Sequence, residues 1–120
     1  MSYKDLDIYK TSLQLFFEVH PLSLKLPKYE LFELGSQLRR SSDSVITNIV
    51  EGYGRKKYKN DYIKFLVYSH SSNDETINHL FKLAHLYPEF SNEFMKLHSE
   101  YDILGAKINK FIQYIELNWK

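Results

Sequence analysis

The sequence predicts an all-α fold, an antiparallel up-down-up-down four-helix bundle, and three observations carry that prediction. Apolar residues recur at alternating steps of three and four in four separate stretches, the spacing of one helix face. Short connections marked by Pro21, Pro27, Gly54 and Pro88 separate the stretches, and short connections make successive helices antiparallel. No stretch alternates with period two, so strands have no signal of their own. With 120 residues, 43% of them hydrophobic, and only four glycines and three prolines, residues 1–120 read as one domain able to bury a core. The expected helices cover about 5–24, 31–53, 58–87 and 90–117.

In the first segment Leu6, Tyr9, Leu13, Phe16 and His20 step by three and four, with Leu15 and Phe17 widening the apolar face. Asp5 or Asp7 suits the positive end of the helix dipole, and Pro21 ends or kinks the helix near His20. In the second, Leu34, Leu38, Ser41, Val45, Asn48 and Gly52 form one stripe, and Ser42, Ile46, Ile49 and Tyr53 a second beside it. Gly54 is placed as the residue just past the helix end. The third segment carries Tyr62, Leu66, Ser69, Asn73, Thr76, Leu80, Leu83 and Tyr87 and stops at Pro88. The fourth is the plainest: Phe90, Phe94, Leu97, Tyr101, Leu104, Ile108, Phe111 and Ile115 keep the alternation for four heptads. Ser91 or Asn92 is expected to help start it, and Gly105 to cost it about 1 kcal/mol relative to Ala.

Serine, threonine and asparagine weaken a helix interior, yet here they sit on the seam. A turn centred near Arg55 and Lys56 brings Ser41 and Ser42 level with His70 and Ser69, and Leu38 level with Asn73. The stretches SSDS and SHSSND then face each other. Small side chains allow close helix approach, and their hydroxyls and amides satisfy one another once buried. The alternative is a polar cavity inside the bundle.

Composition removes several functions. Without cysteine there are no disulfides, thiol nucleophiles or cysteine metal sites, which fits a reducing compartment. The opening MSYKDLDIYK lacks an apolar leader and no apolar run reaches membrane length, so a cytoplasmic protein is expected. Di-iron bundles need Glu-x-x-His pairs, and no Glu here has a His three residues later. Glu75 with His79, and His70 with Asp74, read as solvated surface pairs. Catalytic triad order, P-loop and dinucleotide fingerprints are missing. No metal, cofactor or enzymatic activity is expected.

The net charge of +1 hides a local excess: residues 37–64 hold seven Lys/Arg against three Asp/Glu. Arg55, Lys56, Lys57 and Lys59 cluster at the expected turn, where cations complement a helix C-terminus. The same residues, with the pair Arg39 and Arg40, are candidate phosphate contacts, and Tyr53 and Tyr58 are candidate stacking rings. Repetition around an oligomer would add avidity. Ile63, Phe65, Leu66, Val67 and Tyr68 make the third helix more apolar than one core needs, which predicts a homo-oligomer.

Gln37-Leu38-Arg39-Arg40, Ser44-Val45, Asn48-Ile49 and Glu51-Gly52-Tyr53-Gly54-Arg55 resemble the signature of the small four-helix-bundle proteins encoded in 23S rRNA intervening sequences. Tyr62-Ile63-Lys64-Phe65-Leu66, Asp74-Glu75-Thr76 and the opening Tyr3-Lys4-Asp5-Leu6 are similar to further parts of that family. Ile46 departs from it, standing where the family often has proline. The resemblance implies an up-down bundle, often a homopentamer. It also implies kinship with the basic accessory proteins of diversity-generating retroelements, which engage a reverse transcriptase and nucleic acid. The expected function is therefore a non-enzymatic oligomeric binding or scaffolding module with RNA or an RNA-associated protein as partner. The alternative is a purely structural oligomer without nucleic-acid binding.

Overall fold

The computed structural model describes residues 1–120 and contains four helices and no strands: α1 (Asp7–Ser23), α2 (Leu34–Gly54), α3 (Lys59–Leu86) and α4 (Ser91–Asn118). Short 3-10 turns at Tyr3–Asp5, Lys28–Leu31 and Pro88–Phe90 lead into α1, α2 and α4. A helix of 28 residues is about 42 Å long, so α3 and α4 run most of the length of the 49 × 22 × 20 Å molecule. α3 packs extensively on both α2 and α4, while α1 contacts α2 more lightly and α4 least. These contacts fit a helical bundle.

The α4 seam is buried nearly as its spacing predicts. Phe94, Leu97, Tyr101, Leu104, Ile108 and Ile115 join the core, with Phe90 and Phe111 half-buried at its edges. Gly105 has a positive role there. A β-carbon on it would lie 2.9 Å from Asn73 Nδ2, and that amide donates to Tyr101 O at 2.8 Å. The missing side chain lets α3 place a buried amide against the α4 backbone.

α1 is rotated from its expected face. It buries Ile8, Ser12, Leu15, Val19, Leu22 and Ser23, whereas Leu6, Tyr9, Leu13 and Phe16 are only half-buried and Phe17 and His20 are exposed. Aliphatic and hydroxyl side chains take the inner face, and Ser12 closes its own hydroxyl on Tyr9 O at 3.0 Å. The aromatic stripe is left outside. Pro21 lies inside α1 and does not end it, because it sits in the last turn and removes a single donor.

The α2–α3 connection also differs. Gly54 remains in the helix with no positive φ, and the chain turns instead as Arg55 N and Lys56 N donate to Gly52 O and Tyr53 O. The turn centre therefore moves toward Lys57 and Tyr58, and the register moves with it. Ser41 meets Thr76 at 2.8 Å, Ser44 meets Ser72 at 2.8 Å, and Ser69 donates to Val45 O at 2.7 Å. Ser41 and Ser42 thus do not pair with His70 and Ser69 as a turn at Arg55 and Lys56 requires. The facing of SSDS and SHSSND is real, and it is a hydrogen-bonded seam. Gly52 permits it, since a β-carbon there would crowd Phe65 Cβ at 3.2 Å. Ile46 is buried in an unbroken α2. Neither Ser91 nor Asn92 caps α4, which continues directly from the turn at Pro88–Phe90.

Candidate nucleic-acid interface at the α2–α3 turn

The turn gathers Arg55, Lys56, Lys57 and Lys59 because α2 ends and α3 begins within five residues. Each cation has a different setting. Arg55 pairs with Glu51 at 3.1 Å and lies 3.8 Å from Asp61, with its guanidinium 4.8 Å from the Phe65 ring centre. Lys59 donates to Glu116 O at 2.8 Å, closing a carbonyl in the last turn of α4. Lys56 donates to the Tyr53 hydroxyl at 2.7 Å and sits 3.9 Å from that ring's centre. Lys57 has only the Tyr58 ring nearby, at 5.7 Å. A phosphate at the turn therefore meets Lys57 directly and competes with Glu51 and Asp61 for Arg55. Exposed pairs of this kind are worth at most about 1 kcal/mol, so the competition is weak.

The candidate rings separate. Tyr58 is exposed and open to stacking. Tyr53 is half-buried, edge-on to Tyr62 at 6.4 Å, and its hydroxyl donates to Met1 O. Arg39 and Arg40 lie elsewhere: sixteen helical positions before Arg55, Arg39 is roughly 24 Å away along the axis. Its guanidinium donates to Ser23 Oγ at 3.0 Å and to the carbonyls of Leu31 at 3.1 Å and Glu30 at 3.4 Å. Those bonds fasten the α1–α2 connection, beside a buried Glu30 carboxylate that accepts from Gly35 N and from the Tyr87 hydroxyl. Burial, then the Glu30 bond, pushes the Tyr87 phenol well above its ordinary range. Arg40 alone of that pair is exposed.

Behind the turn is a cleft of about 240 Å³ that the seam pattern does not reveal. Tyr53, Tyr62, Phe111, Tyr114 and Trp119 form its walls and Lys56 stands at its edge. Tyr62 is its buried centre, edge-on to Trp119 at 5.6 Å and to Phe111 at 6.0 Å. Burial, with Tyr53 adding to it, raises the Tyr62 phenol to about 12. Trp119 Nε1 donates to Lys56 O at 2.8 Å, so the chain's single tryptophan ties α4 to the turn. Its position beyond the last seam residue gave no periodic signal.

Three histidines pair with acids one helical turn away: His70 with Asp74 at 3.7 Å, His79 with Glu75 at 3.4 Å, and His98 with Asp102 at 3.6 Å. His79 is buried, so its pair with Glu75 is not the solvated surface pair expected, and its Nδ1 has no partner. No group of three or more His, Cys, Asp or Glu stands ready to hold a metal ion. No helix is long and apolar enough to cross a membrane.

Comparison with curated proteins finds no match to this chain. Residues 4–110 do match a family model, taking in all of α1, α2 and α3, the turn between them and most of α4. The chain belongs to the 23S rRNA-intervening sequence protein family.

Proposed function

We propose that the chain works as a non-enzymatic scaffolding and binding module that assembles with copies of itself. The outward stripe of α1 carries the proposal: Leu13 and Phe16 are half-buried yet lie outside the core, and Phe17 is 63% exposed. Apolar surface left to water in this way marks a partner's footprint. Val67, Tyr68 and Phe81 expose more of it on α3. A closed ring joins two unlike surfaces, whereas a two-fold dimer uses one surface twice. Apolar side chains on two different helices favour the ring, and the family resemblance implies five copies.

An up-down-up-down path is part of the same reading, and the contacts at the two ends support it. Met1, Lys56, Lys59, Glu116 and Trp119 come together at one end, and Ser23, Glu30, Arg39 and Tyr87 at the other. A cytoplasmic setting fits the missing cysteines. Light scattering after size exclusion tests the assembly: a mass near five chains is expected, and a clean 14.4 kDa monomer overturns it.

RNA contact through the turn is the second reading, favoured by Arg55, Lys56, Lys57 and Tyr58 standing together at one end. The internal bonds of Arg39 and Lys59 favour a purely structural oligomer instead. A salt titration decides between them. Changing Arg55, Lys56, Lys57 and Lys59 to Ala should flatten the salt dependence of RNA binding; an unchanged affinity removes RNA from the turn.

A further inference from the structure

The cleft behind the turn has features that a packing defect would not need. Most of its lining is aromatic, with Met1 and Leu6 completing the apolar wall, yet one charged residue, Lys56, lines it too. An ammonium has three protons to donate. One of those on Lys56 goes to Tyr53, and no carboxylate pairs with the others. Tyr62, 1% exposed, backs the cleft from the core. A few polar groups set in an apolar wall are how small-molecule sites fix orientation.

Size narrows the ligand. Sites for drug-sized molecules run from roughly 300 to 1,000 Å³, so about 240 Å³ suits a single ring system. Flat walls select a flat ring, which gains by edge-to-face contact with the half-buried Phe111 and Trp119. The unpaired ammonium selects a negative charge next to that ring.

We infer that this cleft is a binding site for a small planar aromatic acid, its ring against Phe111 and Trp119 and its carboxylate on Lys56. The inference needs neither self-assembly nor RNA binding. It makes the last residues of α4 and the α2–α3 turn the two sides of one site, so an occupied cleft clamps the turn to Trp119.

Trp119 is the only tryptophan, and its fluorescence reports the cleft directly. Titration of the full chain with 4-hydroxyphenylacetate should give a saturable change, when excited where phenols do not absorb. The uncharged 4-methylphenol should bind about fivefold more weakly, the effect of one partly exposed ion pair. Lys56→Gln should weaken the acid by the same factor and leave 4-methylphenol unchanged, while Lys56→Arg should keep the preference for the acid. Urea midpoints establish that the variants fold. The inference is overturned by no saturable change, by equal affinity for acid and cresol, or by indifference to Lys56→Gln. Tighter binding of adenosine monophosphate than of the acid also overturns it, in favour of a nucleotide site.

Discussion

A methyl group added to Gly105 would press on Asn73 Nδ2, whose bond to Tyr101 O is buried. Gly54 has open space around it and an ordinary helical backbone. Replacement by Ala gains up to about 1 kcal/mol of helix propensity at either site. At Gly105 that gain is outweighed by displacing a buried amide, which costs roughly 1–3 kcal/mol and strains the packing besides. Urea unfolding should therefore show Gly54→Ala stabilised by about 0.5–1 kcal/mol and Gly105→Ala destabilised by about 1–2 kcal/mol. A second residue-scale outcome concerns pH. The folded Tyr62 holds its proton to about pH 12 and the unfolded one loses it near 10. The neutral phenol's stabilisation is thus complete below pH 10 and declines as pH rises to 12, by up to about 1.4 kcal/mol per unit. Tyr87 and Tyr101 shift in the same direction. The urea midpoint followed across pH 9 to 11 should fall less steeply for Tyr62→Phe than for the parent.

Arg39 shows how an element is held by one side chain. Its bonds to Ser23 Oγ and to the Glu30 and Leu31 carbonyls tie α2 to the connection that follows α1. Arg39→Ala should lower stability by about 1–3 kcal/mol and leave any RNA affinity of the turn unchanged. If affinity falls with stability intact, Arg39 belongs to the interface after all. α4 was legible because its apolar seam has no rival, and all of it but the half-buried Phe90 and Phe111 lands on the buried face. α1 was not, because two stripes share its period. Leu6, Tyr9, Leu13, Phe16 and His20 keep the same steps of three and four as Ile8, Ser12, Leu15, Val19 and Leu22, and spacing alone cannot choose between them. The seam between α2 and α3 was readable in composition but not in register, since that depended on whether Gly54 closes α2 or continues it. At the site, the cluster of cations could be read directly. The carbonyl under Lys59, the carboxylates on Arg55 and the cleft lined by Trp119 depend on chain segments far apart in sequence.

For the whole molecule, the outward stripe of α1 separates assembly from folding. Phe17 contributes to the surface and not to the core. Phe17→Glu should shift the light-scattering mass toward a single chain while the monomer keeps its helical circular dichroism. A variant that loses its helix instead would make Phe17 part of the fold. The two ends of the chain have a further, practical consequence. Met1 accepts from Tyr53 and Trp119 donates to Lys56, so both lie against the turn. An affinity tag fused at either end would hang over the cleft and its lysines and compete with whatever binds there. The connection around Lys28–Leu31 lies at the other end of α2, and a fluorophore attached there would leave the cleft and the turn uncovered.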